Sequence, residues 1–160
     1  MKKLLLVIDV QKDFINRNTE EVLPKIKELV NSDKYDLIAF TRFINDENSI
    51  WYKKSHYTGC MTKEGQEIII DTKKHKIFDK KIYTAVNDEL KDYIRKNDIS
   101  EIYICGFDTD ACVQKTAIDL FEQNYDVYVL KDYCMSHAGK EIHNFYITNL
   151  ARLIGKNKII

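Results

Sequence analysis

Hydrophobic patterning divides the chain into alternating strand-like and helix-like segments. Leu4 to Val10 (LLLVIDV) is a continuous apolar run broken only by Asp9, which suits a parallel strand buried on both faces. Glu20 to Val30 places Val22, Leu23, Ile26, Leu29 and Val30 at helical spacing, with Pro24 early enough to belong to a first turn. Asp36 to Phe43 (DLIAFTRF) returns to strand character and completes a βαβ unit whose crossover should be right-handed. Asn45 to Gly65 is irregular and aromatic, Ile68 to Ile70 is a short apolar patch, and Lys76 to Phe78 predicts a brief strand. Asn87 is placed to cap a helix that buries Leu90, Tyr93 and Ile94. Ile102 to Cys105 predicts a strand, and Val113, Ala117, Leu120 and Phe121 predict the helix after it. Asp126 to Leu130 (DVYVL) is a further strand with Lys131 to His137 as its loop, Lys140 to Leu150 a final helix, and the tail to Ile160 a short edge strand. The alternation predicts an α/β fold, a three-layer sandwich built on a mostly parallel sheet of about five strands.

Composition acts mainly by exclusion. Lys plus Arg and Asp plus Glu number 25 each, so no net field draws the chain to nucleic acid or an anionic membrane. Its apolar runs fall far short of the ~20 residues that a membrane helix needs. Cysteines at 60, 105, 112 and 134 show neither CxxC spacing nor the density of a disulfide framework, and Met1 to Val10 has no small-residue cleavage site. The expectation is a cytoplasmic protein with reduced thiols. With 5 glycines and 1 proline there is no flexible linker or repeat, and residues 1–160 are expected to form one domain.

Three residues that carry chemistry fall at predicted strand ends, which share one rim of such a sheet. Cys112 sits where the strand-like stretch EIYICGF gives way to helical spacing, and unpaired amides at a helix start favour a thiolate. The competing account is a small buried hydrophobe. Asp9 is either a carboxylate in the ligand crevice of an open sheet or a turn and cap residue. Lys80 precedes a helix, where a lysine usually faces solvent. The aromatic segment from 45 to 65 forms a pocket wall or an oligomer contact.

With these positions in view the chain resembles the isochorismatase-like cysteine hydrolases, which include nicotinamidases and N-carbamoylsarcosine amidases. The resemblance is carried by DVQKDF (Asp9 to Phe14), by Lys80 followed by Thr84 and Ala85, and by GFDTDACVQKTA (Gly106 to Ala117). It implies a Rossmann-like α/β/α domain with strand order 3-2-1-4-5-6 and assembly into dimers or larger oligomers. It also implies a triad of Asp9, Lys80 and Cys112 that cleaves the C–N bond of a small amide, ureido or carbamoyl compound through a thioester. Two backbone N–H groups, those of Asp108 and Cys112, would hold the oxyanion, with a cis peptide between Phe107 and Asp108. Asp108 departs from the small residue usual at its position.

Nicotinamidases carry an Asp-x-His metal loop, whereas this chain reads TRFINDENS (Thr41 to Ser49), and His56, His75, His137 and His143 are isolated. The expectation is therefore no catalytic metal and no cofactor. Phe14, Arg42, Asn45 and Trp51 are expected substrate contacts by loop position. Arg42 would take a substrate carboxylate or form a surface ion pair. Two other functions remain: a catalytically silent scaffold of the same fold, and a phosphoryl-accepting receiver domain, disfavoured because Val10 and Gln11 stand where an acidic partner to Asp9 is wanted.

Overall fold

Leu4 to Ile8 have no solvent exposure, and successive buried residues fit only a strand covered on both faces. In the computed structural model, which describes residues 2–160, they belong to β1 (Lys2–Ile8), the centre of a five-stranded sheet. β2 (Leu37–Phe43) and β4 (Ile99–Phe107) flank it, with β3 (Lys76–Lys80) and β5 (Asp126–Met135) outside them. The order is β3-β2-β1-β4-β5, and every pairing is parallel. Helices on the two faces complete the expected three-layer architecture. The tail adds a single parallel bridge, Ile159 to Val129, instead of another strand.

α1 (Leu23–Val30) turns Leu23, Ile26, Leu29 and Val30 inward, and Pro24 sits in its first turn, where an absent N–H costs nothing. α2 (Ile50–Ser55) lies in the segment expected to be irregular, capped by the Ser49 hydroxyl on the Tyr52 N–H. α3 (Asp88–Lys96) is capped by Asn87, whose side-chain oxygen accepts the Leu90 N–H at 2.8 Å. A π-helical turn, Thr109–Val113, leads from β4 into α4 (Gln114–Glu122), and α5 (Lys140–Ile154) closes the order. No helix among the described residues is long and apolar enough to cross a membrane.

Two strands outrun their hydrophobic signal. β5 continues through Lys131 and Asp132, exposed positions that read as a loop, because its register against β4 shifts between Ile104 and Gly106 and pairing resumes at Cys134 and Met135. β3 carries on to Lys80, which therefore ends the strand instead of following it. Gly106, with φ 114°, pairs with Ile8; a Cβ there would stand 2.1 Å from the Ile8 carbonyl oxygen. The C-terminal ends of β1 and β4 thus approach closely, and the residues after both strands enter one crevice.

Candidate active site

Asp9 follows β1, Lys80 ends β3, and Cys112 lies in the turn after β4. The chain reverses direction across the sheet between β1 and β4, which is where open α/β sheets form a ligand crevice. Asp9 adopts a positive φ of 44°, a conformation that Asp tolerates better than most residues. Its Oδ2 is 2.7 Å from Lys80 Nζ, and Nζ is 3.4 Å from Cys112 Sγ. Nζ also donates to the Ile82 carbonyl at 2.9 Å, so the ammonium is held by an ion pair on one side and by two hydrogen-bond acceptors on the others. Thr41, inside β2, fixes the carboxylate from the other side: its hydroxyl donates to Asp9 Oδ1 at 2.6 Å and accepts the Asp9 N–H at 3.1 Å.

All three groups are withdrawn from water, with Asp9 0%, Lys80 5% and Cys112 6% exposed. Burial opposes the charge on Lys80, yet Asp9 and the sulfur outweigh it and raise the ammonium pKa. The thiol moves against the expectation. Burial pushes the Cys112 pKa up and the neighbouring Asp9 charge adds to this, while Lys80 pulls the other way without prevailing. The resting arrangement is an Asp9–Lys80 ion pair beside a neutral thiol.

A cavity of about 600 Å³ opens onto the sulfur. One wall is aromatic, with Phe14, Phe43, Trp51 and Tyr83 in a chain whose centroids are 6.3, 6.1 and 4.6 Å apart. The Trp51 indole N–H is anchored on the Lys81 carbonyl at 2.8 Å. Asp108, Asp110 and His137 line the same cavity. A larger, more open hollow of about 850 Å³ lies near the starts of β2 and β3, at the other end of the sheet.

Of the expected substrate contacts, Phe14 and Trp51 line the cavity and the other two do not. Arg42 pairs in register with Asp79 on β3 and binds it through two hydrogen bonds of 2.7 and 2.9 Å, away from the sulfur. Asn45 is buried and its amide donates to the Tyr57 and Gly59 carbonyls, which braces the loop instead of facing a ligand. Gln11 clasps the end of β2 through the Phe43 N–H and C=O, at 2.7 and 2.8 Å. Sequence reasoning missed Thr41, Phe43, Tyr83 and His137. Thr41 had one signal, a hydroxyl directly after the apolar run Leu37 to Phe40 of β2. The Phe107–Asp108 peptide is cis, and the Asp108 N–H has no acceptor among the described residues.

The model of the isochorismatase domain matches residues 3–156. The chain belongs to the isochorismatase family. Within this superfamily of hydrolases it is 28% identical over 151 residues to isochorismatase family protein 1A of Dictyostelium discoideum, covering 86% of this chain and 65% of that protein. It thus spans about two thirds of the length of that relative. It is 27% identical to the nicotinamidase of Saccharomyces cerevisiae, over 82% of this chain and 87% of that one. Among solved structures, the pyrazinamidase of Pyrococcus horikoshii in complex with zinc superposes with a TM-score of 0.84 at 25% identity, covering 100% of this chain and 99% of that chain. N-carbamoylsarcosine amidase from Thermoplasma acidophilum superposes with a TM-score of 0.81 at 18% identity, covering 94% of each chain.

The zinc of that pyrazinamidase prompts a test of the donor set. No group of three or more His, Cys, Asp or Glu side chains is gathered to hold a metal among the described residues. After β2, where a metal loop would stand, the Asn45 amide is committed to backbone carbonyls and Asp46 pairs with Lys81 at 2.6 Å. The residues present do not fit a zinc site.

Proposed function

We propose that this isochorismatase family member is a cysteine amidohydrolase that cleaves the C–N bond of a small amide, ureido or carbamoyl compound. The observation that carries the reading is the contact of Lys80 with both Asp9 and Cys112, the last of which lines a cavity of small-molecule size. The nicotinamidase and carbamoylsarcosine amidase relatives support a C–N bond as the target.

In this mechanism the thiol stays protonated until substrate is bound. Asp9 then takes the proton as Sγ attacks the carbonyl carbon, and the new oxyanion sits against the backbone N–H groups of Asp108 and Cys112. The proton passes from Asp9 to the leaving nitrogen as the C–N bond breaks, leaving a thioester. Water, deprotonated by Asp9, attacks the thioester, and the proton returns to the departing sulfur. Lys80 offsets the negative charge that passes between oxygen and sulfur. Its contacts with Asp9, Cys112 and the Ile82 carbonyl hold it in place for both halves of the cycle.

The test is a panel of small amides, ureides and carbamoyl compounds, scored by release of ammonia or amine, with intact-protein mass spectrometry of samples quenched during turnover. An acyl adduct on Cys112 and loss of turnover in Cys112→Ala are expected. Asp9→Asn should lower kcat about 100-fold or more, the usual range for removing a general base. Turnover that survives Cys112→Ala would remove the cysteine from the mechanism, and absence of turnover across the whole panel would replace this reading with that of a silent scaffold.

A further inference from the structure

The polar wall of the cavity contains a pair that the triad chemistry does not use. Asp108 is buried, and both of its carboxylate oxygens are taken by one residue. Oδ1 accepts the His137 backbone N–H at 3.0 Å, and Oδ2 accepts the Nδ1–H of the same residue's ring. The His137 carbonyl is held in turn by the side-chain amides of Asn16 and Asn18, at 2.8 and 3.0 Å. The backbone is therefore fixed from two sides and the ring by its Nδ1. The ring remains 54% exposed at the cavity, and Nε2 has no partner among the described residues.

A carboxylate on Nδ1 raises the imidazole pKa, and Asp110, the other acid facing the ring, acts in the same direction. In the protonated ring, the state these two acids favour, Nε2 is an N–H donor. Because both Asp108 oxygens accept from His137, the hydrogen-bonding atom this pair leaves free toward a ligand is Nε2. Phe14, Phe43, Trp51 and Tyr83 line the same cavity, so it offers aromatic contacts to an uncharged body and the His137 ring to an anionic end.

We propose that His137 is a specificity-determining residue that reads a carboxylate on the substrate, so that the preferred substrates are small amides or carbamoyl compounds with an anionic group at the end remote from the scissile bond. This rests on reading the cavity as an amidohydrolase site. Asp108 has two parts in it: its backbone N–H faces the reacting oxygen, and its side chain positions the ring. Asp110 repels an anion, which restricts the carboxylate to direct contact with Nε2.

The experiment measures binding without turnover. Succinamate and its uncharged methyl ester are titrated calorimetrically into the Cys112→Ala protein between pH 6 and 9. Succinamate should bind about tenfold more tightly at the acidic end, in line with a charge-assisted hydrogen bond. The preference should fade as pH rises through the imidazole titration, vanish in His137→Gln, and fade at lower pH in Asp108→Asn. A purely structural role for His137 would weaken both ligands together. Equal loss of the two, a preference that survives His137→Gln, or no preference at any pH overturns the proposal. If succinamate binds through His137 yet no amide is turned over by the Cys112 protein, the hydrolase reading falls and the ligand assignment stands. Turnover of neutral amides without a carboxylate preference gives the reverse.

Discussion

At the scale of single residues, the thiol is governed by burial first and then by two neighbours of opposite charge. Burial and Asp9 hold the Cys112 proton in place, while Lys80 favours its loss. Asp9→Asn removes the raising charge and leaves the lowering one, so the thiol pKa falls. Iodoacetamide should then label Cys112 faster at neutral pH in the variant than in the parent protein, although the variant loses turnover. Labelling followed by peptide mass spectrometry across pH checks this, and unchanged or slower alkylation would contradict the assigned balance. Cys60 and Cys134, pushed by burial up to about 12, serve as unreactive internal references. Asp9 stood out as a carboxylate at the end of an apolar run and Cys112 as a thiol where strand spacing gives way to helical spacing. Lys80 was singled out by the family resemblance alone, since a lysine before a helix usually faces solvent. The partner of Arg42 was not legible, since Asp79 lies 37 residues away and only the β2–β3 register brings them together. Asn45 misled for a similar reason: its acceptors are loop carbonyls, and sequence gives no signal of where a carbonyl points.

At the scale of elements, the nucleophile turn depends on what packs behind it. Thr109, the first residue of that turn, meets His143 of α5, with Oγ1 and Nδ1 2.7 Å apart in a buried contact. Burial lowers the His143 pKa and Lys140 adds to this, while Asp132 and Asp110 pull it up without prevailing. The native state therefore prefers the neutral ring. The stability this contributes is intact above the ordinary imidazole value of 6.5 and is lost as pH falls below it, because the unfolded chain then takes up a proton that the native state resists. His137 has the opposite sign: its raised pKa contributes stability that is present at low pH and lost as pH rises. Comparing the parent protein with His143→Asn isolates the first effect, since the asparagine oxygen can still accept the Thr109 hydroxyl. The fall in urea midpoint from pH 7 to pH 5 should be smaller in the variant. A second element-scale prediction concerns Gly106, where a side chain meets both the Ile8 carbonyl and an unfavourable φ. Gly106→Ala should destabilise by roughly 2–6 kcal/mol, read from the urea midpoint. The strands and the larger helices were legible because burial imposes a period on them. α2 was not, since it buries none of its residues and carries no apolar stripe. The outer half of β5 was hidden because exposed lysine and aspartate occupy an edge where backbone pairing alone continues the strand.

At the scale of the whole molecule, the triad and the fold pull in different directions. The sheet is assembled from side chains that lose contact with water, yet Asp9 and Lys80 bring two charges into the same interior. Removing ions from water costs several kcal/mol each, and mutual attraction only partly offsets this. The pair is thus expected to be a requirement of chemistry and not a source of stability. Superposition with relatives at low identity fits that division, because a common backbone needs a repeated pattern of burial and not particular side chains. Single and paired substitutions separate the contributions. Lys80→Met leaves the Asp9 carboxylate buried without its counter-ion and should cost about 3–5 kcal/mol. Asp9→Asn/Lys80→Met removes both charges, retains the hydrogen bond to Thr41, and keeps a side chain suited to the positive φ at position 9. The double variant should recover most of the loss and equal or exceed the parent in urea midpoint, while its turnover stays as low as that of either single variant. A double variant no more stable than Lys80→Met would make the ion pair a net contributor to folding, and would tie the stability of this sheet to its reactive centre.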